Sequence, residues 1–131
     1  MDHTLIIKES PYDLETTYNK LKTILTNNPK LKVILELDHS KNAASVDLDL
    51  RPTKIIMFGN PNLGTPLMQA SPTVSIDLPQ KIIVYTAEDS ITKIAYNNPL
   101  YLKERHGIEG KDDVLETISG ALQTITNKVI E

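Results

Sequence analysis

Leu50-Arg51-Pro52-Thr53-Lys54-Ile55-Ile56-Met57-Phe58-Gly59-Asn60-Pro61-Asn62-Leu63-Gly64-Thr65-Pro66-Leu67-Met68-Gln69 is the stretch on which the fold turns. Thr53 to Phe58 is β-rich with apolar residues on both faces, which predicts a central strand. Asn62 to Ala70 then reads as a short helix. Asn62 is the expected cap, and Pro66 falls inside the first turn, where no backbone donor is lost. Ser71-Pro72 stops that helix. Between Leu50 and Pro79 lie five of the eight prolines and two of the five glycines, so backbone shape is specified here more heavily than anywhere else in the chain.

Toward the N-terminus, Thr4 to Lys8 is a short apolar run and predicts a first strand. Ser10-Pro11-Tyr12-Asp13 reads as a helix start: Ser10 as cap, Pro11 at the first helical position, Asp13 as capping-box acceptor. Leu14, Tyr18, Leu21 and Leu25 follow along one helical face, and Asn27-Asn28-Pro29 ends the helix. Lys32 to Asp38 alternates, with Val33, Leu35 and Leu37 expected on one face of a half-buried strand. Asp38 to Ser45 reads as a polar connection, and Val46 to Leu50 as a strand or an extended segment.

Toward the C-terminus, Lys81 to Thr86 and Ile91 to Asn97 predict a hairpin about Ala87-Glu88-Asp89-Ser90. Asn98-Pro99 starts a short helix that runs through Arg105 and stops at Gly107. The longest helix is expected from Asp112 to Val129, with Val114, Ile118, Ala121, Leu122, Ile125 and Val129 on its apolar face. Asp112, Asp113 and Glu116 suit its positive end. Gly120 costs roughly 1 kcal/mol against alanine in a helix interior, and a close approach to the sheet is the expected reason for it. A mostly antiparallel sheet with a long helix near each end is an α+β fold in two layers, in the order β-α-β-β-β-β-α. The 131 residues make one domain spanning 1–131.

Composition narrows the function classes. The chain is 40% hydrophobic and 24% charged, ordinary for a globular protein. The net charge of -3 supplies no basic face for nucleic acid. With no cysteine, thiolate metal sites, disulfides and a cysteine nucleophile are excluded. The start, Met1 to Lys8, lacks the pattern of a leader peptide, and no window approaches the roughly 18 apolar residues of a membrane span. The expectation is a cytoplasmic protein without nucleic-acid or membrane partners.

Several residues call for chemistry. A strand running into Gly59-Asn60-Pro61 and then a helix is expected to leave free amides that attract an anion, although the spacing is neither a P-loop nor a dinucleotide fingerprint. The plainer role of that loop is a rigid turn. Asp38-His39 lies at a strand end with Arg51 further on. His39 is a proton-transfer candidate near neutral pH, or simply a surface residue. His106 closes Lys103-Glu104-Arg105-His106, where a cation at a helix C-terminus is favourable in itself. Asp77, between Ile76 and Leu78, either accepts turn amides or faces a pocket. Asn97 has no capping role to explain it. Two histidines with Asp38 or Asp77 could ligate a metal, but no ligand spacing supports that. No nucleophile elbow is present.

At these same residues the chain resembles the domain-of-unknown-function 302 family. The resemblance rests on Leu50-Arg51-Pro52-Thr53-Lys54, Phe58-Gly59-Asn60-Pro61, Leu63-Gly64-Thr65-Pro66-Leu67-Met68-Gln69, Ile76-Asp77-Leu78-Pro79-Gln80-Lys81, and Tyr96-Asn97 with Pro99, Tyr101-Leu102 and Arg105-His106-Gly107-Ile108. Asp38-His39 with Asn42-Ala43-Ala44 is also similar to the family. Asp89-Ser90 stands where the family hairpin has an Asn-Gly-like turn, and Tyr85 where it has tryptophan. The resemblance implies a compact α+β domain, often dimeric, and implies no reaction and no cofactor. Carried over, the polar motif residues are Asp38, His39, Arg51, Asn60, Asp77, Asn97 and His106.

Three functions follow as expectations. The first is a homodimeric binding or sensing domain whose polar pocket gathers those seven residues around a small anionic ligand, with Arg51 and the loop amides holding the charge. The second is an enzyme with His39 as general base and Asp38 or Asp77 as its partner. The third is a structural or interaction module whose motifs are turn chemistry alone.

Overall fold

A computed structural model describes residues 3–131. Met1 and Asp2, which open the stretch read for a leader peptide, lie outside the described residues. The elements are β1 (Leu5–Ser10), α1 (Leu14–Thr26), β2 (Lys32–Asp38), α2 (His39–Ala44), β3 (Thr53–Gly59), α3 (Pro61–Ala70), a 3-10 turn (Pro72–Ile76), β4 (Gln80–Thr86), β5 (Thr92–Asn97), α4 (Pro99–His106) and α5 (Asp112–Val129). The five strands form one antiparallel sheet in the order β1-β5-β4-β3-β2. The α+β, two-layer reading of the sequence holds. β3 is interior, as its composition predicts, and β4 takes the centre.

One face of the sheet carries the core. Ile56, Phe58, Ile82, Val84, Ile94 and Tyr96 are at most 3% exposed and meet the helices. From α1 come Leu14, Tyr18, Leu21 and Leu25, the four residues its period predicts. From α5 come Leu115, Ile118, Leu122, Ile125, Thr126 and Val129. Each large apolar side chain buried in this way contributes about 1.5–3 kcal/mol against exposure, so the two long helices anchor the layer.

Helix caps fall one or more residues from the expected places. Asp13, not Ser10, caps α1, accepting from the Thr16 amide at 2.8 Å. Ser10 instead pairs with the buried Thr17 hydroxyl at 2.7 Å. Asn60, not Asn62, caps α3. Pro66 therefore lies in the helix interior rather than in its first turn. Asn98 and Gly107 bound α4 as expected, and Gly107 takes the left-handed φ of 61° that favours glycine at this stop.

Two segments depart further. Asp38 to Ser45 is not a plain connection: Asp38 caps α2. In β2 the register slips between Val33 and Leu35. Val33 pairs with Phe58 on the helix side, whereas Leu35 and Leu37 pair with Met57 and Ile55 on the other face. Ile34 is the extra residue of a β-bulge, which inverts the simple alternation. Glu36 thereby faces α1 and accepts the Tyr18 hydroxyl at 2.7 Å. That hydroxyl, with Lys22 beside it, holds the Glu36 carboxyl below its ordinary range.

Gly120 is not at a close approach. It is exposed, and a Cβ added there would meet nothing within 4 Å. Gly120→Ala is therefore expected to stabilise the protein by about 1 kcal/mol through helix propensity and a less flexible unfolded chain, read as a higher urea midpoint at constant slope.

Candidate functional site

A partly open apolar space lies where the glycine–proline loop meets α5. It is a chamber of about 330 Å³. Its walls are the end of β3, the first two turns of α3, the Leu78-Pro79-Gln80 segment and the Ile118–Ile125 face of α5. The peptide bond before Pro79 is cis. Exposed lining residues Lys32, Ile34, Pro61 and Thr65 mark its mouth. A Cβ at Gly64 would stand 3.8 Å from Leu78 Cδ1 and from Met68 Cε, in ordinary contact with two lining side chains. One at Gly59 would likewise meet Pro79 Cβ at 3.5 Å.

The lining is almost entirely apolar, with one telling polar group. Gln80 lines the chamber, and its Nε2 is buried without a hydrogen-bond partner. No aspartate or glutamate is among the lining residues.

A second cluster sits next to the chamber wall. Asp77 follows the 3-10 turn and directly precedes Leu78. Its Oδ2 lies 2.5 Å from His106 Nε2, and Arg105 NH1 donates to both carboxylate oxygens at 3.1 Å. The other imidazole nitrogen, Nδ1, is 2.8 Å from Thr73 Oγ1, and Ser71 Oγ donates to the His106 carbonyl at 2.8 Å. The His106 side chain is only 5% exposed and that of Asp77 12%. With Nε2–H donating to the carboxylate, Nδ1 accepts from the Thr73 hydroxyl. The cluster ties the 3-10 turn to the end of α4 and so fixes the segment that walls the chamber.

The seven residues singled out in the sequence do not meet in one pocket. Asp77 and His106 do pair. Asn60 lines the chamber, but its side-chain oxygen is committed to the Asn62 amide at 3.0 Å. The amides of Leu63 and Gly64 both donate to the Asn60 carbonyl at 2.9 Å, and Pro61 has none. The amides of Asn62, Leu63 and Gly64 are thus committed within the turn and not offered to an anion, contrary to the expectation from its motif. Asn97 pairs with Leu5 on the opposite sheet face.

Asp38, His39 and Arg51 lie at the other end of the sheet. β3 separates them from Asn60, and its seven residues at ~3.3 Å each put roughly 20 Å between its ends. Asp38 accepts from Ser40 Oγ at 2.5 Å and the Lys41 amide at 3.0 Å. The Ser40 hydroxyl is the main reason its carboxyl stays below the ordinary range. Asp38 is a helix cap, and His39, which opens α2, bonds to no carboxylate among the described residues. The acid–base pair expected at His39 is absent there. The histidine–carboxylate pair of this molecule is His106 with Asp77. Arg51 borders an open polar hollow with Asp49, Tyr85 and Glu88. Among the described residues no three of His, Asp and Glu are grouped to hold a metal ion.

Gln80 and Lys32 went unweighed in the sequence. Gln80 stands in the Ile76 to Lys81 motif of the family resemblance, but neither residue's context announces a chamber, which is a product of how α3 and α5 meet. The pair of glycines at 59 and 64 was the available signal.

Fold and site together define a small two-layer α+β domain with an apolar chamber at its glycine–proline loop. The chain belongs to the family described as Domain of unknown function DUF302, whose model matches residues 6–125. Its fold is that of an uncharacterized conserved DUF302 protein from Bacillus stearothermophilus, with a TM-score of 0.85 at 18% identity, covering 98% of this chain and 99% of that one. Over 114 residues it is 30% identical to the Fluoride-specific ion channel FluC 1 of Brucella suis biovar 1 (strain 1330) and to that of Brucella abortus biovar 1 (strain 9-941). Those matches cover 87% of this chain but 44% and 42% of the two proteins. The chain spans less than half the length of these curated relatives. Among the described residues no helix is long and apolar enough to cross a membrane.

Proposed function

We propose that this protein is a cytoplasmic ligand-binding domain, acting as a homodimer, that senses a small, largely apolar molecule. The chamber carries the reading. At about 330 Å³ it stands at the low end of ligand-pocket sizes. A cavity of about 150 Å³ suffices for benzene, so this one suits roughly a dozen heavy atoms. The polar pocket expected from the sequence gives way to an apolar one. The relatives called fluoride-specific ion channels fit a sensing role, since the matched segment is less than half of each. A thermal-shift panel of aliphatic and aromatic compounds tests it. A ligand at 100 times Kd should stabilise by about 2.7 kcal/mol, several degrees in Tm. No shift from any compound of this size would contradict the reading.

The homodimer has its own support. On the face away from the helices, Ile7, Ala95, Ile83, Ile55 and Leu37 form one apolar row across all five strands. Ile7 is 53% exposed and Leu35, beside the row, 47%. Beyond α2, Val46, Leu48 and Leu50 are exposed as well. Five strands ~4.8 Å apart and ~20 Å long present about 480 Å² in outline. Two such faces total about 1,000 Å², the lower bound for a specific interface. A second copy is the occupant that offers a matching apolar sheet of the same size.

A further inference from the structure

Of the two helices that wall the chamber, α3 is the more weakly held. α5 sets six buried residues into the core, whereas α3 sets in only Leu67, in its second half. Resting on the reading that the chamber binds, we infer that the first half of α3, residues 61–65, is a lid that swings about Pro66 and closes over the bound molecule. Pro61, Asn62 and Thr65 are exposed, and Leu63 packs only partly against the core. Asn60 holds this turn through its side-chain oxygen and its carbonyl, which take the amides of Asn62, Leu63 and Gly64. Those bonds are internal to the turn. Among the described residues no side-chain hydrogen bond or ion pair joins residues 61–65 to another element.

Pro66 is the natural pivot. It has no amide to return to the Asn62 carbonyl, so the hydrogen-bond ladder is interrupted between the two halves of the helix. Gly64 and Pro66 are also the two poorest types of helix former. Beyond the pivot the chain is fixed. Leu67 is fully buried, the Ser71 amide bonds the Leu67 carbonyl at 2.9 Å, and Ser71 Oγ reaches the His106 carbonyl at 2.8 Å. The part free to move is the part that shapes the opening, since Pro61, Leu63, Gly64 and Thr65 all line the space. The α5 wall cannot yield in the same way, because Ile118, Leu122 and Ile125 are at most 7% exposed and belong to the core. Segments that move on binding are drawn from the least stable parts of a fold. The first half of α3 combines few buried contacts with an interrupted ladder, beside an open apolar space.

The test is amide hydrogen exchange, followed residue by residue on the full chain, alone and with 1-octanol, a neutral probe of a size the chamber holds. In the free protein the amides of residues 62–65 are expected to exchange about tenfold or more faster than those of residues 67–70, although both sets are hydrogen-bonded. Saturating 1-octanol should slow the first set about tenfold and leave the second nearly unchanged. Pro66→Ala restores the missing amide and suits a helix better, so it should slow exchange at residues 62–65 in the free protein by about tenfold and slow 1-octanol association as well. Residues 62–65 exchanging as slowly as 67–70, or as fast in Pro66→Ala as in wild type, would overturn the lid. So would 1-octanol shifting the Leu122 and Ile125 amides without protecting residues 62–65, a result that keeps the chamber as a binding site. No change at α3 or α5 with 1-octanol or with any compound of the aliphatic and aromatic panel would overturn the chamber reading and the lid with it.

Discussion

Asp77→Ala is expected to lower the unfolding free energy by about 2–3 kcal/mol. The loss comes from one bond more than the other. His106, at 5% side-chain exposure, loses the carboxylate 2.5 Å from its Nε2. Truncating one partner of such a pair carries the desolvation cost of the group left behind, about 1–3 kcal/mol and more where charge is involved. The Arg105 bridge adds little, since that side chain is 45% exposed and solvent takes over its guanidinium. Asp77→Asn should cost less, because an amide oxygen still accepts from Nε2–H. Arg105→Ala should cost well under 1 kcal/mol. Urea unfolding of the three variants ranks them. A change below 0.5 kcal/mol for Asp77→Ala would mean that the latch does not hold the 3-10 turn. Because Leu78 and Pro79 follow Asp77 directly, the same variant should also weaken ligand binding in the chamber.

Ile83→Asp is expected to raise the dimer dissociation constant at least a thousandfold while leaving the monomer folded. Ile83 is on the central strand, in the middle of the apolar row. In a symmetric interface each copy would bury a carboxylate with no partner, a cost of several kcal/mol per ion, and about 4 kcal/mol is already a thousandfold. The monomer tolerates the change because this face is not part of the helix-covered core. Sedimentation velocity separates one 14.6 kDa chain from two. A wild-type protein that stays monomeric at high micromolar concentration, or a variant as dimeric as wild type, would contradict the proposed interface.

The parts of the fold visible in the sequence are those set by period and punctuation. The Leu14-Tyr18-Leu21-Leu25 face is read directly, and α5 begins and ends where the pattern predicts. What the sequence hid has physical causes. The bulge at Ile34 shifts Leu35 and Leu37 to the other face, and no propensity marks one extra residue in a strand. Asp38 looked like half of a catalytic dyad because a helix cap and an acid–base group use the same carboxylate. Asn60 is the same case: its motif suggested a ligand contact, and the helix start consumes it. His106 and Asp77 were both picked out, yet only the folded chain brings residues 29 apart within hydrogen-bond reach. The chamber was least legible, since it arises where the loop around Gly59 and Gly64 meets a helix that begins only at Asp112.

The central claim is that a ligand enters the chamber between α3 and α5. Amide chemical-shift mapping on the isotope-labelled chain, titrated with the tightest binder of the aliphatic and aromatic panel, tests it most directly. Perturbations are expected to concentrate at Gly59, Gly64, Gln80 and Ala121, with Asp38, His39 and Arg51 unmoved. Perturbations centred on the Arg51 hollow instead, or none at saturating concentration, would contradict it.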